Sequence, residues 1–287
     1  MTSPRRALGI DIGGTKLAVG IVDDAGAVLA RVVAPTPADD GDAMWSTLCR
    51  LVDDCRGAHD VSVVGVGCGG PMTAGGELVS PLNIAGWRDF PLRSRLAGHL
   101  GVPVHVDNDA KALARAEGWI GAAVGCQDYL AMVVSTGVGG GIVTDGRLLD
   151  GASGNAGHIG HVIVEPEGRQ CACGARGCLE AEASGTSVAA ICGRPAADAP
   201  DALRERTGRM VGRAVASVAN LLDLQLALVG GSVALGFGAT FFDAARAELE
   251  RSARLSFSRG VRIEPVGLGA DGPLVGAAAV GFAGLDN

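Results

Sequence analysis

An α/β fold of two similarly built lobes is what the sequence predicts, on three observations. The 287 residues include 46 glycines and 48% apolar residues but only one Tyr, six Phe and three Trp, which describes a tightly packed interior of small side chains. Apolar stretches with strand-like alternation are punctuated by Gly-rich turns and interleaved with stretches of helical spacing. One hairpin device occurs twice, about 120 residues apart, a gap too long for a solenoid period and suited to two lobes.

Taken in order, "LGIDIGGTKLAVGIVDDAGAVLARVV" (8–33) alternates around a Gly-Gly-Thr turn and then an Asp-Asp-Ala-Gly turn, which predicts a three-stranded antiparallel meander. Residues 40–58 carry Met44, Leu48, Leu51 and Cys55 at helical spacing. "VSVVGVGCGGPM" (61–72) reads as a buried strand entering a Gly-Gly-Pro turn, and "VPVHVDND" (102–109) as a further strand. Residues 110–120 are expected to be helical, capped by Asn108 or Asp109. "YLAMVVSTGVGGGIVTDGRLLDG" (129–151) repeats the opening scheme of strand, Gly-rich turn, strand, Asp-Gly turn and strand. The Pro- and Ala-rich residues 193–202 are expected to be a loop, 207–224 a long helix, 225–232 a strand with a Gly turn, and 272–284 a closing helix.

The formal charge of −7, without a five-residue run of Lys and Arg, gives no electrostatic footprint of a nucleic-acid binder. The first residues lack the apolar run of a secretory signal, and no stretch of about 18 apolar residues could span a bilayer, so a cytoplasmic protein without a membrane partner is expected. Cys49, Cys55, Cys68, Cys126 and Cys192 are scattered in apolar or helical contexts, as buried, reduced thiols would be. Cys171, Cys173 and Cys178 are clustered instead, with His161 separated from the first by nine residues. Metal site, redox site and sulfur-rich core are the choices. Three thiolates and an imidazole complete a tetrahedral zinc shell, the glycines at 174 and 177 allow a tight loop, and no Cys-x-x-Cys redox motif is present.

Gly-rich turns between buried strands present backbone N–H groups that suit phosphate oxygens. One turn carries Asp11, Gly13, Gly14, Thr15 and Lys16, the other Thr136, Gly137 and Gly139, and a facing pair could hold one polyphosphate. Neither has the Walker spacing or the strand-to-helix dinucleotide fingerprint.

The motifs "LGIDIGGTKLAVGIVD", "VDNDAKALARAE", "VVSTGVGGGIV", "GHIGHV", "CACGARGCLEAEASG" and "LVGGSV" resemble, in family order and over residues 7–281, the ROK family of sugar kinases and repressors. That resemblance implies two actin-like, ribonuclease H-like lobes with a sugar and ATP cleft between them. Expected boundaries are 1–110 for the first lobe, with a C-terminal helix of about 272–287 returning to it, and 111–271 for the second, carrying the zinc loop. It further implies a homodimer, ATP as phosphoryl donor, Mg²⁺ near Asp11, and nucleotide contacts from the glycines at 137–141, Gly230 and Gly231. Lys16 is expected either to reach a phosphate or to lie on a strand face.

Attack of a sugar hydroxyl on a γ-phosphoryl group needs a carboxylate to orient it and accept its proton. The family places that base at Asp109, with Asn108, Asn83, Glu180 and the zinc-bound His161 touching the sugar, while Asp107 is expected to be structural. His161, Cys171, Cys173 and Cys178 match the family's structural zinc ligands. One departure bears on the substrate. Most ROK kinases read "GExGH" where this chain has "GHIGH", with His158 in place of a carboxylate. A neutral imidazole donates one hydrogen bond and accepts another, so His158 could meet an N-acetyl carbonyl. The motif resembles that of bacterial N-acetylmannosamine kinases; a glucokinase in which His158 carries no selectivity is the alternative. With the first strand expected to start at about Ala7, the helix-turn-helix domain that a repressor carries is not expected, and a non-catalytic sugar sensor would not need Asp109 and both phosphate turns.

Overall fold

The computed structural model describes residues 5–57 and 59–285, so the expected ends at residues 1, 58 and 287 lie outside the described residues. In chain order the strands and helices are β1 (Arg6–Ile12), β2 (Lys16–Asp23), β3 (Val28–Pro35), α1 (Gly41–Arg56), β4 (Val63–Cys68), α2 (Leu92–Leu100), β5 (Val104–Asn108) and α3 (Asp109–Trp119). They continue with β6 (Tyr129–Val134), β7 (Val138–Thr144), β8 (Arg147–Leu148), α4 (Leu179–Ala183), α5 (Gly185–Cys192), α6 (Asp201–Leu222), β9 (Leu226–Gly230), α7 (Ser232–Ser252), β10 (Arg262–Pro265) and α8 (Gly272–Leu285).

The chain forms two compact units, one of residues 1–121, 150–156 and 268–287, the other of 122–149 and 157–267. Each is built on a five-stranded sheet, and the sheets share one topology: β3-β2-β1-β4-β5 in the first unit, β8-β7-β6-β9-β10 in the second. In both, three strands form an antiparallel meander and two more pair in parallel beside its first strand. Parallel neighbours require crossovers. Helices α1 and α2 provide them in the first unit, and α6 and α7 among the second unit's connections. Central strands β4 and β9 are buried throughout, as expected for strands covered on both faces, while the edge strand β3 alternates.

The first unit extends past the expected limit at residue 110 because α3 packs against α8 and β4. Helix α8, "GPLVGAAAVGFAGL", is apolar on every side and buried along most of its length, lying on β1, β4 and β5. Its close approach depends on Gly65: a Cβ there would stand 1.8 Å from the Ala277 carbonyl oxygen. The second unit ends at Gly267 rather than 271, and residues 150–156 belong to the first.

Other expectations shift locally. Asn108, not Asp109, caps α3, its Oδ1 accepting from the Ala110 N–H at 3.0 Å. The expected loop 193–202 contains a short 3₁₀ turn at Ala196–Asp198, and α6 begins at Asp201 rather than 207. Gly139 lies in β7 opposite Val133, so residues 138–141 are ladder, and the second Gly-rich turn is confined to residues 135–137. Of the scattered cysteines, Cys55 and Cys68 are buried, whereas Cys49, Cys126 and Cys192 are half-buried. Among the described residues no helix is long and apolar enough to cross a membrane.

Candidate active site

In the first unit, sheet register gathers the candidate residues at one end. Parallel pairing sets Asp11 opposite Gly67, Ile12 opposite Cys68, and Cys68 opposite Asn108, so β1, β4 and β5 all terminate together, where open α/β sheets bind ligands. The turn of Gly13, Gly14 and Thr15 is closed by the Gly13 N–H donating to Lys16 O at 3.1 Å and the Thr36 hydroxyl donating to Gly13 O at 2.7 Å. Lys16 opens β2 with its side chain exposed.

Asn83 lies against this turn, and a Cβ on Gly14 would come within 2.6 Å of the Asn83 Cβ. The Asn83 loop is held from below by buried Ile84 and Trp87, the latter stacked on Phe90 with centroids 4.1 Å apart. Arg88 donates to the carbonyls of Pro81 and Ile84 at 3.1 and 2.8 Å, which fixes the loop from its other side.

The carboxylates here have different surroundings. Burial pushes the Asp11 carboxyl up to about 7, with the Asp109 charge adding to the rise and Lys16 opposing it. Asp109 is exposed in the first turn of α3, one oxygen accepting from the Ala110 N–H at 2.8 Å. Because the Asn108 Oδ1 is engaged as cap, its amide NH₂ is the group left to donate. Asp107 is turned to structure, accepting from the Asn108 N–H at 2.8 Å and pairing with Lys111 at 3.1 Å.

In the second unit, Val133 stands opposite Gly230 across β6 and β9, which brings the 135–137 turn and Gly230–Gly231 to one sheet end. The Ser135 and Ser232 hydroxyls hydrogen-bond at 3.0 Å between them, and Thr186 donates its hydroxyl to Thr136 O at 3.0 Å. Gly231 has φ 95°, and a Cβ would meet Val134 O at 2.3 Å, so only glycine makes this turn. Glu180, at the start of α4, accepts from the Val138 N–H at 2.6 Å, beside Gly137, and burial raises its pKa against the opposing effects of that bond and His161.

His161, Cys171, Cys173 and Cys178 converge, their ligand atoms all within 4.8 Å of one another. The Cys173 and Cys178 sulfurs are 3.7 Å apart, far beyond a disulfide bond and close to the edge of a tetrahedron with metal–sulfur distances of about 2.3 Å. Cys171 Sγ lies 3.8 Å from His161 Nδ1. Burial, with the other two sulfurs, pushes the Cys178 thiol up to about 12, and a bound cation would favour its thiolate. The loop is shaped by bridges between Ile163 and Cys178 and between Gln170 and Arg176. Buried Glu182 accepts from the Arg169 N–H and pairs with Arg206 of α6, tying the loop to its support. His158 is outside the four-ligand group; its ring lies at 27° to that of His161 with centroids 6.2 Å apart.

The model of the ROK family matches residues 7–281. The chain belongs to the ROK family. Among its ROK relatives, a glucokinase of Halalkalibacterium halodurans is 33% identical, the match covering 96% of this chain and 94% of that one. An N-acetylmannosamine kinase of Citrobacter koseri is 40% identical over 80% of this chain and 84% of the relative. A ROK glucokinase of Streptomyces griseus, solved with glucose and AMPPNP, superposes with a TM-score of 0.85 at 30% identity, covering 97% of this chain and 99% of that one. The two sheets are thus the two halves of the actin-like ATPase fold that ROK hexokinases share.

Within this ROK chain, the first unit collects Asp11, the 13–15 turn, Asn83, Asn108 and Asp109, and the second collects the 135–137 turn, Gly230, Gly231, His158, Glu180 and the four-ligand group. Sequence reasoning missed Ser135, Ser232, Arg88 and Lys111, which support these residues. For Ser232 the signal was available, since it follows the Gly-Gly pair that ends β9.

Proposed function

We propose that this ROK protein transfers the γ-phosphoryl group of ATP to the C6 hydroxyl of N-acetylmannosamine. That it is an ATP-dependent sugar kinase follows from its family and from glucokinase and N-acetylmannosamine kinase relatives that match most of its length. Asp109 accepts the hydroxyl proton as the sugar oxygen bonds to phosphorus, the bond to the β-phosphate oxygen breaks, and ADP leaves with the electron pair. Asn83, the Asn108 amide, His158, His161 and Glu180 hold the sugar. Gly13, Gly14, Thr15 and Lys16 in one unit, and Thr136, Gly137, Gly230 and Gly231 in the other, receive the nucleotide, with Gly139 backing the second turn from its strand.

Asp11, whose ionisation burial and then the Asp109 charge disfavour, suits a divalent cation at this sheet end, and Mg²⁺ there would neutralise phosphate charge. The Cys₃His set suits Zn²⁺, which would be structural because four protein ligands leave no open position. Zinc on His161 would fix its ring and, with it, the face offered to the sugar.

The observation that carries the choice of sugar is His158, stacked beside His161 yet outside the metal group. An imidazole there can donate to an acetamido oxygen, which a carboxylate cannot. Glucose is the second reading, favoured by the glucokinase relative that matches 96% of the chain. A coupled assay over glucose, mannose, N-acetylglucosamine and N-acetylmannosamine decides. The expected order puts N-acetylmannosamine first, with His158→Glu moving preference toward glucose by about tenfold or more, the worth of one polar contact. Selective turnover of glucose by the unaltered chain would overturn the choice.

A further inference from the structure

The chain uses arginine for all but two of its 24 basic residues, and the two lysines are Lys16, at the first phosphate turn, and Lys111. Lys111 is among the largest fully buried side chains, 2% exposed on the helix that begins with Asp109. A buried ammonium is costly unless its donors are met. Here the ammonium donates to Asp150 Oδ1 at 2.6 Å and Gly154 O at 3.3 Å and forms an ion pair with Asp107 Oδ1 at 3.1 Å.

Two of those acceptors belong to residues 150–156, a strap between β8 and Gly157 that belongs to the first unit. The strap has a second tether, Asn155 Nδ2 donating to Met72 O at 3.3 Å. Two residues beyond its end stands His158, and five beyond stands His161. On the other side, Asp107 holds the backbone N–H of Asn108. A single ammonium therefore joins the strand end that presents Asn108 and Asp109 to the strap that leads into both sugar-site histidines. A bulkier, planar guanidinium is not interchangeable with a compact ammonium at so buried a position.

We propose that Lys111 is a positioning residue that sets sugar affinity by clamping the 150–156 strap to the base-bearing turn, an inference that rests on the sugar-kinase reading above. It predicts a division of effects. Asp109 keeps its own first-turn contact and Asn108 its cap without the ammonium, so the chemical step survives its loss. The strap does not keep its place, and the residues it delivers bind sugar less well.

The test compares Asp150→Ala and Lys111→Met with the unaltered chain, using the best sugar of the panel. Asp150 has a 64% exposed side chain, so its variant folds even if the buried Lys111→Met does not. Expected is a sugar KM raised about tenfold with kcat within about threefold, the pattern of lost binding shared by ground and transition states. Nucleotide KM, bound zinc and, for Asp150→Ala, melting temperature stay unchanged. Asp150→Asn, which retains an acceptor, recovers most of the affinity, and Lys111→Arg does not. A sugar KM within about twofold of the unaltered chain in both variants would overturn the clamp, as would loss of kcat without change in KM. Calorimetric titration of the same sugars into Asp109→Asn separates the two readings. Sugar binding and wild-type turnover with unaffected clamp variants sinks the clamp alone, whereas no sugar bound or phosphorylated by the unaltered chain sinks the kinase reading and the clamp with it.

Discussion

Asp109 and Asp11 sit at the same sheet end but answer differently to neutralisation. Asp109→Asn keeps the shape of the side chain and removes the proton acceptor, so kcat should fall by about 10² or more while sugar KM and melting temperature hold. Steady-state kinetics beside a thermal melt checks this, and full turnover by the variant would remove Asp109 from the chemistry. Asp11 carries a stability cost instead. Its carboxyl titrates near 7 in the folded chain and near 4 when unfolded, so the folded state holds the extra proton between those values. The stability contributed by its protonated form is therefore complete below about pH 4 and lost as pH rises through about 7, at roughly 1.4 kcal/mol per unit. Without nucleotide or divalent cation, Asp11→Asn should melt above the unaltered chain at pH 8 and together with it at pH 4, while losing activity. Equal melting temperatures at both values would show that the carboxylate is not strained. A group kept at a cost to stability is typical of a functional site.

Among elements, the loop of His161, Cys171, Cys173 and Cys178 makes the sharpest prediction because it has two kinds of support. The cysteine turn depends on the four ligands, but the loop base is also held by Glu182 on the Arg169 N–H and Arg206, and by the Leu179 N–H on Val162 O at 2.9 Å. Chelation should raise sugar KM several-fold and leave the far-ultraviolet circular dichroism nearly intact, with affinity restored by added zinc. Unfolding of the second unit on chelation would mean that the metal organises more than its loop.

Elements also differ in how plainly the sequence announces them. The two meanders were legible from their turns, and the four-ligand set from spacing. Helix α7 was not, because Gly236 and Gly238 interrupt its first turns and Gly238 breaks the helix with φ 58°. Strand β10 has four residues ending in Pro265, too short for alternation to register. Lys111 was illegible for a different reason. A lysine in an amphipathic helix reads as solvent-facing, and nothing local to it reports that residues 150–156 come back to cover it. The same return, with that of α8, is why the boundary expected at 110 fell short.

At the scale of the molecule, the repeated meander proves to be the visible part of a larger repetition: both five-stranded sheets have the same order and the same directions. Their completion is unequal. The second unit is formed by residues 122–149 and 157–267, whereas the first needs α8, whose close seating at Gly65 covers β1, β4 and β5. Truncation after Gly267 should therefore leave that sheet face bare and yield insoluble, inactive protein, measured by soluble expression and turnover. A soluble, active truncation would show that α8 is dispensable to the first unit.

On the ribosome, that inequality becomes an order of events. Strands β1–β5 are made first, yet they wait through the synthesis of the entire second unit for the helix that seals them, while the second unit can finish before residues 268–285 emerge. The half bearing Asp11 and Asp109 is thus the last to be closed, and a chain abandoned before α8 is made leaves that half's sheet face uncovered.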